Sequence, residues 1–212
     1  MSEHHPRPDD LPAGTRRGRL TREQSRALTR ERLLASAALV FTREGYGGAS
    51  VERIAEEAGY SKGALYSNFA SKEDLFLELV DYHAGRHVAE LCAILDATEG
   101  ADATIGAACA WAAGLDHEPD LRLLLLEMIR RARNDADMRQ RHVRLFDEQW
   151  HAVGTRLSKI FPQARTPVEP RMLGALVMEL TYGNAMQSHP DLNAGDLIGL
   201  ALRALRDAAH AG

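Results

Sequence analysis

Apolar residues recur at helical spacing along most of the chain. Val51, Ile54, Ala55 and Ala58, for example, occupy positions i, i+3, i+4 and i+7, which form one stripe on a helix. No segment shows the strict alternation of apolar and polar residues that is typical of a strand. The pattern therefore predicts an all-α fold of about nine helices.

Two short helices are predicted in close succession between residues 50 and 69. Ser50 can cap the first helix, and Gly59 follows it, where a left-handed residue most easily ends a helix. Ser61 can cap a second helix two residues later, and Leu65 and Phe69 give that helix an inward face. Because the connection is so short, the two helices must cross at a steep angle, as in a helix-turn-helix.

A longer helix is predicted on each side of this pair. Thr21 and Gln24 form a capping-box pattern ahead of a helix that runs to about residue 44, where glycines interrupt it. After the pair, a helix over about residues 72–96 has Leu75, Leu79 and Tyr82 on one face. Prolines and polar breaks divide the remainder into five more helices. The fifth covers about 103–115, the sixth begins near Pro119 and the seventh ends at Phe161. The eighth runs from Pro170 to about Ser188, and Asn193 with Asp196 caps the ninth.

Three segments within residues 29–76 are distinctive: A-A-L-V-F-T-R-E-G-Y, then S-V-E-R-I-A-E-E-A-G, then S-K-G-A-L-Y-S-N-F-A-S-K-E-D-L. They resemble the DNA-binding domain of the TetR/AcrR family of bacterial transcriptional regulators. Residues 1–20 form a basic arm that is polar and rich in Pro, Arg and Asp, so it is expected to be disordered. The resemblance implies a helix-turn-helix domain with a three-helix bundle (21–71) and a larger helical ligand-binding and dimerisation domain (72–212).

The resemblance also implies which side chains contact DNA. Ala64 stands where many relatives carry threonine, so an apolar contact to a thymine methyl group is expected there. Serine caps, a packing tyrosine and a solvated lysine are the ordinary alternatives for several of the other positions. The residues expected at base edges are Lys62, Gly63, Ala64 and Ser67, and those expected at phosphates are Ser50, Tyr66, Asn68 and Lys72.

Charge is distributed unevenly along the chain. Residues 1–72 contain twelve Lys and Arg against nine Asp and Glu, a net charge of +3, and the rest of the chain carries −7. A basic front half is suited to DNA at one end of the molecule. Arg16, Arg17 and Arg19 could enter a minor groove as a flexible arm, or could belong to a solubilising tail.

The resemblance implies two further partners. One is a second copy of the chain, paired through the last two helices, where Gly174 and other small residues stand beside large ones. The alternative is that these two helices only close the core of the monomer. The other is an unknown small-molecule effector that releases a repressor from a palindromic double-stranded DNA operator. The alternative is a helical adaptor that binds a protein partner and keeps a vestigial DNA reader. Candidates to line an effector site, or simply to fill the core, are Trp111, Met128, Phe146, Trp150 and Tyr182.

Other chemistry has weaker support in the sequence. His83 and His87 share a helix face and could hold a metal with a third ligand, although solvated histidines are more common. Cys92 and Cys109 are expected to be reduced buried thiols, with a redox-sensing pair as the alternative. Without a phosphate loop or a catalytic motif, we expect no enzyme, no cofactor and no metal site. Without a signal peptide or a membrane-spanning run, we expect a cytoplasmic protein.

Overall fold

The computed structural model describes residues 21–115, 119–162, 166–183 and 191–211. Every regular element in these ranges is helical, which confirms the predicted all-α fold. The helices are α1 (Arg22–Gly48), α2 (Val51–Glu57), α3 (Lys62–Tyr66), α4 (Lys72–Asp96), α5 (Ala101–Gly114), α6 (Pro119–Ala132), α7 (Ala136–Leu157), α8 (Pro170–Tyr182) and α9 (Ala194–Ala211), with a 3-10 turn (Ser158–Ile160) after α7.

Hydrogen bonds from side chains set the starts of the helices where the sequence predicts them. The Thr21 hydroxyl accepts from the Gln24 N–H at 3.1 Å, and the Gln24 amide oxygen accepts from the Thr21 N–H at 2.9 Å, a complete capping box. Asn193 and Asp196 form the equivalent reciprocal pair ahead of α9, each bond 3.1 Å long. These contacts span three residues, so the local sequence is sufficient to specify them.

The glycines interrupt α1 where the sequence predicts. Gly45 adopts φ 68°, outside the helical region, so the first helical run ends near residue 44 and one further turn follows the kink to Gly48. Leu79 and Tyr82, which the spacing places on one face of α4, are not both buried: Leu79 is fully buried, whereas the Tyr82 side chain is 47% exposed. The buried row runs from Val80 through Ala84 to His87, which leaves Tyr82 on the outer flank. The predicted extension of α8 to Ser188 reaches beyond residue 183, outside the described residues.

The buried side chains form two hydrophobic clusters. The first joins α1, α2, α3 and the first half of α4 to α6 and the start of α7, so Leu65 and Phe76 belong to the same cluster as Met128 and Phe146. The second joins the end of α4 to α5, α7, α8 and α9. Because α4 contributes to both clusters, it links the helix-turn-helix to the rest of the molecule.

Glycines allow two close helix crossings within the chain. A Cβ atom on Gly154 of α7 would lie 1.6 Å from the Pro170 carbonyl oxygen, and one on Gly174 of α8 would lie 1.9 Å from the Trp150 carbonyl oxygen. A Cβ atom on Gly195 of α9 would similarly lie 2.4 Å from the Cys109 carbonyl oxygen of α5. Gly174 therefore faces α7 of its own chain and serves to close the core within the monomer.

In the described ranges, no helix combines the length and the apolar character needed to cross a lipid bilayer.

Candidate nucleic-acid interface

The helix-turn-helix backbone follows from its caps and one glycine. The Ser50 hydroxyl accepts from the Arg53 N–H at 3.2 Å, and the Ser61 hydroxyl accepts from the Ala64 N–H at 3.1 Å. Between the two caps, Gly59 turns the chain at φ 73°, in the left-handed region where a Cβ atom is disfavoured. The chain therefore ends α2 and begins α3 within four residues.

One face of α3 is buried and the other is exposed. Leu65 is fully buried and Phe69 nearly so, against Ile54 and the rest of the first cluster. In the opposite direction Lys62, Gly63 and Ser67 are exposed, Ala64 and Asn68 are half-buried, and Tyr66 is 47% exposed. All six residues predicted for DNA contact between positions 62 and 68 therefore lie at or near the surface, on one short helix and its first following turn.

Two of these side chains hydrogen-bond within α3. The Ser67 hydroxyl donates to the Ala64 carbonyl at 2.7 Å, which leaves its oxygen able to accept. The Asn68 amide donates to the same carbonyl at 2.8 Å and to the Ser67 hydroxyl at 3.3 Å. These bonds hold both side chains against the C-terminal end of α3.

Lys62 is paired with a carboxylate of the neighbouring helix. Its ammonium group donates to the carboxylate of Glu52 in α2, and both side chains are more than half exposed. This hydrogen bond lowers the pKa of Glu52 and raises that of Lys62. The spacing of residues along the chain does not indicate Glu52, because the pair joins two helices and lacks the i, i+4 spacing that signals an ion pair within one helix.

Lys72 lies at the junction of α1 and α4. Its ammonium group donates to the carbonyl oxygens of Tyr46 and Ala49, each at 2.9 Å, and lies 4.3 Å from the centre of the Tyr46 ring. These contacts anchor the start of α4 to the end of α1. Whether Lys72 also contacts phosphate stays a prediction, which the geometry permits because a third ammonium hydrogen remains.

Arg30 of α1 makes structural contacts that the sequence does not predict. Its guanidinium group binds the Glu78 carboxylate of α4, with an Nε–Oε1 distance of 2.6 Å, and also donates to the Asn68 carbonyl. It lies 4.3 Å from the centre of the Phe69 ring. Arg30 thus fixes the C-terminal end of the α3 segment between α1 and α4. Its partners are 38 to 48 residues away, so no local pattern could indicate the cluster.

Arg16, Arg17 and Arg19, the predicted minor-groove arm, lie outside the described residues.

A cavity of about 250 Å³ lies between α6, α7 and α8. Of the five candidates for an effector site, Phe146 and Tyr182 line it, whereas Trp111, Met128 and Trp150 do not. Trp111 and Met128 are buried in the two hydrophobic clusters, and Trp150 packs against both. The other lining residues are Leu125, Leu126, Ile129, Arg122, His142, Glu179 and Gly183.

Two polar features accompany this cavity. Nδ1 of His142 is buried without a hydrogen-bond partner, and burial lowers the pKa of this imidazole. The Tyr182 hydroxyl lies 3.1 Å from Nδ1 of His87, and the two rings are stacked. The site combines apolar walls with a few polar groups, which is typical of a pocket for a small organic molecule.

His87 is buried on α4 and is therefore not a solvated histidine. The described residues contain no group of three or more His, Cys, Asp or Glu side chains that could hold a metal. Cys92 and Cys109 are both free thiols, and burial raises the pKa of each. A raised pKa keeps a thiol protonated and less reactive.

Tyr46 connects the cavity helix α6 to the DNA-binding helices. Its ring stacks on Phe41 and meets Phe76 edge to face, with Lys72 on one side and the Arg131 guanidinium carbon 3.8 Å from the ring centre. Arg131 belongs to α6, which also carries Leu125 at the cavity. A displacement of α6 would therefore act directly on the end of α1 and on the cation that holds α4 there.

Residues 33–79 match the family of bacterial regulatory proteins called tetR. Over 60 residues the chain is 40% identical to the HTH-type transcriptional repressor AcnR of Corynebacterium diphtheriae, covering 28% of this chain and 32% of that protein. Over 71 residues it is 42% identical to the HTH-type transcriptional activator FasR of Mycolicibacterium smegmatis, covering 33% and 31%. The chain spans about a third of the length of these two curated relatives.

The fold extends the similarity to most of the chain. A TetR transcription regulator from Haloarcula marismortui superimposes with a TM-score of 0.66 at 19% identity, covering 86% of this chain and 98% of that one. At this identity the match shows a shared fold, in which an N-terminal helix-turn-helix precedes a larger helical region.

Proposed function

We propose that this chain, which belongs to the TetR family of bacterial transcriptional regulators, is a repressor that binds a palindromic operator and leaves it when a small molecule binds. Members of this family are regulators and not enzymes. The observation that carries the proposal is the two-sided α3, on which buried Leu65 anchors the helix while Lys62, Gly63 and Ser67 are exposed on the opposite side.

A symmetric dimer would supply the reach that one α3 lacks. Five helical residues extend only about 8 Å, so one reader contacts a few base pairs. Two readers about 34–36 Å apart would contact successive major grooves and select a palindrome. Met172 of α8 and Leu200 of α9 support this arrangement, since their large apolar side chains are 57% and 68% exposed.

The cavity supports release by a ligand. α6 contributes cavity residues and also carries Arg131, which contacts Tyr46 beside the carbonyls that Lys72 binds. An effector that binds the DNA-incompetent conformation a hundredfold more tightly would weaken operator binding by about 2.7 kcal/mol. We therefore propose α6 as the element whose position the effector changes, and residues 72–212 as the effector and dimerisation domain.

Selection of bound duplexes from a random library tests the DNA-binding claim. We expect a palindromic sequence whose half-sites are about one helical turn apart, and an affinity that falls steeply as salt rises. A reporter driven by a promoter that carries the selected sequence should then be lower when the protein is expressed. Recovery of no preferred sequence, with salt-insensitive binding, would contradict the proposal, and a rise in reporter output would identify an activator.

A protein-binding adaptor is the second candidate, and the surface of α6 is the observation that favours it. Leu123, Leu126 and Ile129 are each about half exposed and are spaced three residues apart. Such a row could bind the apolar face of a partner helix. An adaptor would retain its partner but show no sequence preference in the same duplex selection.

A further inference from the structure

Glu52 places a carboxylate on the surface that we propose faces DNA. Negative charge is unfavourable there, because the DNA phosphates repel it, unless the carboxylate makes a favourable contact. It is the second residue of α2, and its carboxylate accepts from the ammonium group of Lys62, the first residue of α3. The Ser50 hydroxyl also hydrogen-bonds to it. Glu52 therefore contacts two of the residues expected to contact DNA, and it holds the Lys62 ammonium 5.8 Å from the centre of the Tyr66 ring.

The pair presents hydrogen-bond donors and acceptors side by side. An ammonium group has three hydrogens, so Lys62 has two left after binding Glu52, and a carboxylate has about four acceptor positions, so Glu52 keeps at least one. Both side chains are more than half exposed. The protein surface at this point thus offers two donors next to an acceptor.

This arrangement matches one base pair better than the others. In the major groove a G·C pair presents the N7 and O6 acceptors of guanine beside the N4 amino donor of cytosine, which allows three hydrogen bonds with the Lys62–Glu52 pair. An A·T pair places the N6 amino donor between two acceptors, and the thymine methyl group flanks them, which allows only two bonds of this kind.

We propose that Glu52 and Lys62 act as one unit that specifies a G·C pair at one position of each operator half-site, with Glu52 accepting from cytosine N4 and Lys62 donating to guanine N7 and O6. This inference rests on the proposed DNA-binding function. Glu52 is then a specificity-determining residue. Lys62 contacts guanine, and its choice of that base depends on the carboxylate of Glu52.

The test compares operator selection by the full-length protein and its variants. Glu52→Gln keeps the shape of the side chain but removes the charge and adds a donor, which suits adenine rather than cytosine. Glu57→Gln is the matched control, because Glu57 is also in α2 and also forms an ion pair, in its case with Arg43 at 3.3 Å. Lys62→Met removes the other half of the unit.

For the wild type and Glu57→Gln we expect the same palindrome, with a G·C pair at one position of each half-site. Glu52→Gln and Lys62→Met should each reduce the preference at that position by about tenfold and leave the other positions unchanged. Combining the two changes should reduce it no further, since either one dismantles the unit.

Two results would overturn the inference while leaving the regulator proposal intact. In one, Glu52→Gln selects the same base pairs as the wild type at every position. In the other, it weakens all positions equally, which would show that Glu52 only supports the packing of α2 on α3. A wild-type protein that selects no palindrome would instead overturn the proposed function, and this inference with it.

Discussion

Replacement of Lys72 by methionine should destabilise the fold as well as weaken DNA binding. The ammonium group of Lys72 binds the carbonyl oxygens of Tyr46 and Ala49 at the end of α1, and it lies over the Tyr46 ring. Methionine keeps most of the aliphatic stem that packs at this junction but removes the charge and all three donors. Both carbonyls at the kinked end of α1 would then lose this partner.

The magnitude follows from the contacts that are lost. A hydrogen bond to a charged group contributes about 1.5–3 kcal/mol, and a cation over an aromatic ring about 0.5–1 kcal/mol at exposed sites. Because Lys72 is only half-buried, water can replace part of these interactions, and we expect a loss of about 2–3 kcal/mol in the free energy of unfolding. For a chain of this size the melting temperature should fall by about 5–10 °C.

Urea denaturation followed by circular dichroism measures this loss. Lys62→Met is the matched control, because the exposed Lys62–Glu52 pair should contribute less than about 1 kcal/mol. An unfolding free energy for Lys72→Met equal to that of the wild type would refute the reasoning, since it would mean that the ammonium group does not bind the two carbonyls in solution. Operator affinity of the folded protein tests the phosphate contact separately, and its logarithmic salt slope should be smaller by about 0.9.

Three further predictions follow from the packing and the exposed surfaces. Gly154→Ala should lower the unfolding free energy by more than about 3 kcal/mol, because its Cβ would overlap the Pro170 carbonyl. In the same urea titration, the control Gly106→Ala, on an open face of α5, should raise the unfolding free energy by about 0.8 kcal/mol. Leu200→Asp should weaken self-association about 100-fold in sedimentation velocity, while Leu39→Asp, at an exposed leucine of α1, should leave it unchanged; equal behaviour would move the dimer interface away from α9. Tyr66→Ala should lower operator affinity about tenfold without changing the melting temperature, and a loss of folding would instead make this half-exposed ring part of the core.

The sequence alone determined the helices and where most of them begin. Four helices begin at a side-chain cap, in which a hydroxyl accepts from the backbone N–H three residues later: Thr21, Ser50, Ser61 and Ser71. Gly59 turns the chain in a conformation where a Cβ atom is disfavoured. Local hydrogen bonds and helical periodicity act over a few residues, so their signals are contained in short stretches of sequence. The outward position of Lys62, Gly63 and Ser67 followed from the inward spacing of Leu65 and Phe69 for the same reason.

The roles of single side chains were decided by the tertiary structure. Periodicity placed Leu79 and Tyr82 on one face of α4 and left Gly174 open to contact with its own chain or with a second chain. Packing against other helices left Tyr82 exposed on the flank and put Gly174 against α7. Only the fold brings Lys72 to the carbonyls of α1, 23 and 26 residues away, and Lys62 to Glu52 of the neighbouring helix. Such contacts depend on the angle and distance at which whole helices pack. The packing of all side chains in the two hydrophobic clusters sets these angles and distances, and the spacing of residues along the chain does not reveal them.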